Sequence, residues 1–93
     1  MIVLAEIQDQ RDRGAEPRFL NGLRCVISYE GMPAAECGVE LSGGITEIYP
    51  GESAEVFIHF VTPELHVDKL KVGDTFELVR VPYSIATGTV IDL

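Results

Sequence analysis

Basic residues are scarce in this sequence: seven Lys and Arg stand against fifteen Asp and Glu, which gives a formal net charge of -8 over 93 residues. This balance disfavours nonspecific attraction to phosphate backbones and anionic membranes. No apolar run approaches the roughly 20 residues of a membrane span. The first ten residues, MIVLAEIQDQ, show no basic region, long apolar segment or cleavage site of a signal peptide. We therefore expect a cytoplasmic protein that has neither a membrane nor DNA as a partner.

Sequence motifs of common active sites and cofactor sites are also missing. The chain has no G-x-x-x-x-G-K-S/T phosphate loop, no G-x-G-x-x-G fingerprint and no G-x-S-x-G nucleophile elbow. Its two cysteines lack the Cys-x-x-Cys or paired His-Cys spacing of a zinc site. The two histidines, His59 and His66, are expected at the surface, and fifteen acidic residues make acid–base pairs common by chance. We predict no catalytic residue, no metal and no cofactor, and hence no enzyme.

What the sequence does contain is strand periodicity, most clearly from Tyr49 to Thr62. A Pro50-Gly51 turn comes first, and residues then alternate between two faces, as in a half-buried strand. Phe57 and Val61 fall on the outer face with polar residues. The inner face is predicted to consist of Ala54, Val56, Ile58 and Phe60. We take this stretch as the central strand of the domain.

Other segments with strand character flank this stretch: residues 2–8, 24–29, 36–41, 45–48, 75–81 and 84–92. Residues 9–17 are polar and predict a long loop. The apolar residues of segment 63–74, namely Leu65, Val67, Leu70 and Val72, predict a lid over one end of a barrel more than a regular helix. Turn signals about every 8–12 residues indicate an all-β domain, either a small barrel or a sandwich, that spans residues 1–93.

The two cysteines are predicted to lie apart in the core. A hairpin folded about Gly31-Met32-Pro33 would place Cys25 opposite Leu41 and Tyr29 opposite Cys37. The thiols would then be roughly 13 Å apart at about 3.3 Å per residue, beyond the Cα separation of about 7 Å that limits a disulfide. We expect two free, mostly buried thiols.

Two surface features are candidates for partner binding. Four of the seven basic residues lie in the first quarter of the chain, at Arg11, Arg13, Arg18 and Arg24. They indicate either a solvated loop or a patch that recognises an anion or a partner. A second set is apolar and outward-facing, and it is either covered by residues 63–74 or free as a partner surface. Its members are Phe57, Val61, Val79 and Val81.

Several short motifs occur in an order that is typical of one family. They are Phe19-Leu20-Asn21-Gly22-Leu23-Arg24, similar to F-F-x-G-Y-R; Ile48-Tyr49-Pro50-Gly51-Glu52, similar to M-P-G-D; Val61-Thr62-Pro63, similar to I-x-P; Gly73 to Phe76, similar to G-L-R-F; and Ile85 to Val90, similar to V-G-A-G-V-V. Together they resemble the C-terminal β-barrel, the third domain, of elongation factor Tu and related translation GTPases. The resemblance implies a closed antiparallel barrel of six strands.

The resemblance also implies a function. In the family this domain contacts the T-stem of aminoacyl-tRNA, its own GTPase domain and an exchange factor. Here Cys25 and Val26 replace the family's Pro and Gln, and Ala86 replaces a Gly while Gly88 is kept. We expect a free-standing, non-catalytic module that binds a protein partner linked to translation, with tRNA binding through the Arg11–Arg24 loop as the alternative. The candidate partner-binding residues are Arg11, Arg13, Arg18, Phe19, Arg24, Phe57 and Gly88.

Overall fold

Six strands close into a barrel in which every neighbouring pair is antiparallel, as predicted. The structure, a computed structural model, describes residues 1–10 and 19–93. Two further strands, β2 (Phe19–Leu20) and β5 (Glu47–Ile48), pair with each other outside the barrel. The barrel order is β1-β6-β4-β3-β7-β8, with β1 (Ile2–Asp9), β3 (Leu23–Ser28), β4 (Ala35–Leu41), β6 (Ser53–Phe60), β7 (Thr75–Arg80) and β8 (Tyr83–Asp92).

The predicted central strand is confirmed as β6, which lies between β1 and β4. Its inward side chains are all buried, and they are the predicted Ala54, Val56, Ile58 and Phe60. The strand is shorter than the alternating stretch because Tyr49–Glu52 forms a turn. The Glu52 N–H donates to the Tyr49 carbonyl at 3.0 Å, and Gly51 adopts a φ of +88° that a side chain would oppose.

The remaining predicted strands form within two residues of their expected ends. Asp9 is the informative difference: its sequence position predicts a loop residue, but Asp9 ends β1 and is buried. Its N–H donates to the Glu52 carbonyl at 2.9 Å, and it is the cross-strand partner of Ala86. These backbone pairings carry β1 past the point where the apolar residues of its sequence end.

Segment 63–74 closes the barrel end at which β1 begins, and this end is called the lid end below. The segment contributes a three-residue 3₁₀ turn, Pro63–Leu65, and across the described ranges no helix is long and apolar enough to cross a membrane. The prediction of a lid without a regular helix is confirmed, but of its four predicted apolar residues only Leu70 is buried. His66 and Leu70 are buried, whereas the other apolar side chains of the segment, Leu65, Val67 and Val72, are exposed.

The β3–β4 hairpin corrects the predicted placement of the cysteines. Cys25 lies directly opposite Cys37, and their Sγ atoms are 3.8 Å apart instead of roughly 13 Å. The chain turns two residues earlier than expected: the Met32 N–H donates to the Tyr29 carbonyl, and Gly31 has a φ of +85°. Both cysteines are free and buried, as predicted.

Burial on β6 predicts unequal effects of two substitutions. Ile58→Ala should lower the free energy of unfolding by about 2–5 kcal/mol, because it leaves a cavity in a fully buried site. Glu55→Ala, three positions away on the outer face, should change it by no more than about 0.5 kcal/mol. Urea unfolding followed by circular dichroism measures both, and similar losses for the two variants would contradict the face assignment.

Candidate functional site

The predicted partner-binding residues do not form one cluster. Arg11, Arg13 and Arg18 lie outside the described residues. Phe19 pairs through its backbone with Ile48 in the β2–β5 ribbon. The other three lie on separate barrel strands: Arg24 on β3, Phe57 on β6 and Gly88 on β8.

Arg24 and Phe57 share one outer side of the barrel. Arg24 is exposed, and its Cδ would lie 3.6 Å from a Cβ added at Gly38, so the stem of the side chain extends over β4. Gly38 is in turn the cross-strand partner of His59, which lies two residues from Phe57 on β6. The His59 Nε2 is 3.0 Å from the Glu40 Oε1, and Glu40 is the cross-strand partner of Phe57.

Gly88 faces the barrel interior and is a packing residue. A Cβ added there would lie 2.3 Å from Cζ of Phe76 and 2.9 Å from Cγ2 of Ile7, and both side chains are buried. The absence of a side chain at Gly88 therefore makes room for the Phe76 ring. This position gives no support to a direct role in partner binding.

The predicted outer apolar patch is divided by the strand order. Phe57 lies on β6 and Val79 on β7, three strand positions away around a six-stranded barrel. Val79 pairs with Val26 and Ser84, whereas Phe57 pairs with Leu4 and Glu40. The two residues therefore lie on opposite sides of the barrel, and segment 63–74 leaves Val61 and Val81 exposed.

A different apolar surface surrounds Phe57. Leu4 and Phe57 are outward-facing cross-strand partners, and both are half-buried. Ile2, one step toward the lid end, is 52 % exposed and lies opposite His59. We call this surface on β8, β1, β6 and the residue after β6 the outer patch, and its members are Ile2, Leu4, Phe57, Val61 and Ile91.

Carboxylates border the outer patch on several sides. Glu40 is the partner of Phe57 on β4, and Asp92 is the partner of Leu4 on β8. Glu6 and Glu55 are directly opposite each other on β1 and β6, one outward-facing pair beyond Leu4 and Phe57. Both glutamates are exposed, and neither has an ion-pair partner within residues 1–10 and 19–93. Like charges in this arrangement destabilise a sheet.

A buried polar group lies beneath the lid. His66, predicted at the surface, is only 1 % exposed, because its ring packs on Phe60 with centroids 4.5 Å apart. Its Nδ1 is hydrogen-bonded to the Tyr29 hydroxyl, while its Nε2 has no hydrogen-bond partner within the described residues. Burial lowers the pKa of His66, against the smaller opposing effect of the Glu64 carboxylate. Burial also raises the pKa of Tyr29, and the Asp74 carboxylate adds to this.

A polar cleft of about 340 Å³ adjoins Tyr29, and its other walls are Glu30, Gly73, Asp74 and Thr75. Within residues 1–10 and 19–93, no group of three or more His, Cys, Asp or Glu side chains is arranged to hold a metal ion. The Tyr29–His66 contact supports packing of the lid on the barrel.

The role of Gly88 predicts different effects of alanine at two strand glycines. Gly88→Ala should destabilise the barrel by about 1–3 kcal/mol, because the added methyl group overpacks the core. Gly38→Ala is the matched control, since its Cβ would meet only Arg24 at an ordinary 3.6 Å. Thermal unfolding compares the variants, and equal stability of the two would show that Gly88 is not a packing residue.

Burial of His66 predicts a loss of stability in mild acid. Its pKa in the folded state lies below its ordinary value of 6.5, so the unfolded chain binds more protons below that pH. The contribution of neutral, buried His66 to the free energy of unfolding is therefore fully present above about pH 6.5. It falls as the pH drops toward the folded-state pKa, by at most about 1.4 kcal/mol per pH unit for one proton.

Urea unfolding between pH 7.5 and 5.5 measures this dependence. His66→Gln should remove most of the slope in this range, even if the variant is less stable overall. His59→Gln is the matched control, because His59 lies on the exposed outer face and the slope should persist without it. A slope that disappears with His59→Gln and persists with His66→Gln would contradict the assignment.

Comparison with known proteins leaves the family open. No protein-family model matches the chain, and no curated protein matches it. The observed barrel has the strand number that the resemblance to the third domain of elongation factor Tu implies. Membership of that family stays a prediction, and its support is the ordered set of sequence motifs.

Proposed function

We propose that this chain is a non-catalytic protein-binding module that acts in the cytoplasm and uses the outer patch to bind a partner linked to translation. The partner's contact surface would be apolar at its centre and would carry Lys or Arg at its border. One observation carries the proposal: an exposed apolar surface on three neighbouring strands ends at a pair of opposed glutamates that have no ion-pair partner among the described residues.

The apolar part of the surface favours binding over a merely solvated face. The outer side of an antiparallel sheet that faces water is normally polar. Here the first two outward residues of β1, Ile2 and Leu4, are apolar, and so is Phe57 opposite Leu4. Exposed apolar residues that are grouped and bordered by polar ones are typical of interaction sites. A partner that covered them would remove this apolar area from water.

The charges at the border indicate the chemistry of the partner. No basic side chain of residues 1–10 and 19–93 pairs with Glu6 or Glu55. A Lys or Arg from a partner would neutralise the repulsion between these two cross-strand partners. Beside Glu6 lies a shallow polar groove of about 160 Å³ in the outer face, large enough for part of a long basic side chain. Its other polar side chains are Gln8, Ser53, Thr87 and Thr89. Complementary charge of this kind gives specificity and speeds association.

The link to translation rests on the family resemblance. In elongation factor Tu the corresponding domain contacts protein partners as well as tRNA, so the factor and its exchange factor are the first partners to test. RNA is the weaker candidate, because the border of the outer patch is acidic and the net charge of the chain is -8. We expect tRNA binding no tighter than the nonspecific range of about 10⁻⁴–10⁻⁶ M.

Isothermal titration with purified elongation factor Tu, its exchange factor and aminoacyl-tRNA tests the proposal. We expect one of the two proteins to bind, and the double variant Ile2→Glu/Val61→Glu to weaken binding by more than about tenfold. Raising the salt concentration should also weaken binding, since the border contacts are ionic. Neither substitution removes a buried side chain, so the barrel should remain folded.

Val81→Glu is the matched control, because Val81 is 82 % exposed and lies in the β7–β8 hairpin at the end opposite the lid. The affinity of the Val81→Glu variant for the partner should stay within about twofold of that of the unmodified protein. Equal weakening by Val81→Glu would contradict the assignment of the surface. Submicromolar, saturable tRNA binding that is lost on changing Arg11, Arg13 and Arg18 to Glu would favour the RNA alternative. Failure of both proteins to bind would contradict the link to translation.

A further inference from the structure

Two thiols meet in the barrel core. Cys25 and Cys37 are direct cross-strand partners in the β3–β4 hairpin, and their Sγ atoms are 3.8 Å apart. Directly opposed residues in antiparallel strands have Cα atoms about 4.5 or 5.5 Å apart. Both separations lie within the range of about 4.4–6.8 Å that disulfides use. The sulfurs would need to approach by only about 1.8 Å, which side-chain rotation supplies while the strands keep their register.

We propose that Cys25 and Cys37 form a reversible disulfide in the folded barrel when the chain meets a low-molecular-weight disulfide of the glutathione class. This modification site lies inside the barrel and is independent of the proposed partner surface. Two cysteines that merely filled core volume would not need to be opposite each other. Here they share a cross-strand pair in which the sulfur of each lies against the sulfur of the other.

The two thiols differ in a way that assigns the attacking sulfur. Cys25 is slightly more exposed, at 6 % against 0 % for Cys37. Either sulfur can donate in the Cys25–Cys37 hydrogen bond. The contact with Cys37 lowers the pKa of Cys25, burial opposes this, and the charge of Arg80 adds to it. The same hydrogen bond, together with burial, raises the pKa of Cys37. Cys25 is therefore the thiolate that reacts first, since the thiolate is the nucleophile in exchange.

The exchange balances in two steps. The Cys25 thiolate attacks one sulfur of the small disulfide, forms a mixed disulfide and expels one thiolate. The Cys37 thiol then loses its proton, attacks the Cys25 sulfur and expels the second small thiolate. Two electrons pass from the protein to the small disulfide, and the two protons of the cysteine thiols end on the two released thiols. An added dithiol reverses both steps.

The disulfide would link β3 to β4 and close a loop between two residues that are twelve positions apart in the chain. Closing a loop of this size stabilises a protein mainly by restricting its unfolded chain. Because the strands already hold the two residues opposite each other, the native hairpin should accept the bond without a change of register. We expect the oxidised protein to unfold at a higher temperature, by roughly 10 °C for a domain of this size.

The test treats the native chain with oxidised glutathione and follows it by intact-mass and peptide mass spectrometry. We expect a loss of about 2 Da, a single linked peptide that contains Cys25 and Cys37, and reversal by dithiothreitol. The oxidised form should keep its circular dichroism spectrum and show the higher unfolding temperature. A native chain that retains both free thiols under conditions that oxidise the guanidinium-denatured chain would overturn the proposal, and so would a fall in unfolding temperature on oxidation.

Two single-cysteine variants test the order of attack. Cys37→Ala should accumulate a glutathione adduct on Cys25, because the resolving thiol is gone. Cys25→Ala should leave Cys37 at least about tenfold slower to react than Cys25, since Cys37 is fully buried. Faster reaction of Cys37 would overturn the assignment of Cys25 as the attacking thiol. If either variant is unfolded, the mapped peptide of the unmodified chain still decides whether the bond forms.

Discussion

The narrow interior of a six-stranded barrel constrains every other part of this structure. Such a barrel is filled by the side chains of its own strands, so each inward position accepts only a limited volume. The Phe76 ring fits because Gly88 has no side chain, and Ile7 packs against the same space. At the lid end the strands alone do not close the core, and His66 and Leu70 fill the opening. The outward residues are free of this constraint and can vary in size and charge without disturbing the core.

Strand positions were predictable because alternation is a local property of the sequence. The face of β6 that is buried follows from residue type alone, and all four of its predicted inward residues are buried. The register of the β3–β4 hairpin was not predictable from residue type. It depends on where the turn is centred. The sequence offers both Gly31, which can take a positive φ, and Pro33, whose ring fixes a negative φ, as turn residues. The turn forms at Gly31, and a shift of two residues in its centre moves each cross-strand partner by four.

The site was less predictable than the fold, because the order of the strands in the barrel decides which side chains lie beside each other in the site. Phe57 was expected to face outward, but the pairing of β6 with β1 decides that Leu4 is beside it and Val79 is not. The hydrogen-bond partner of buried His66 is Tyr29, which is 37 positions away in the chain. The opposed glutamates, Glu6 and Glu55, likewise become neighbours only when β1 and β6 pair. Pairings over such distances are set by the whole barrel and leave no mark in a local pattern.

The two-sided apolar character of β1 has a consequence for how the strand finds its place. A slip of one residue exchanges the faces of a strand, and a polar outer face normally makes such a slip costly. In β1, residues 2–4 are apolar on both faces, so this half of the strand barely distinguishes the correct alignment from the slipped one. Only Glu6 and Gln8 do so, because a slip would bury them in the core. The same glutamate that borders the outer patch therefore also fixes the alignment of the strand that carries it.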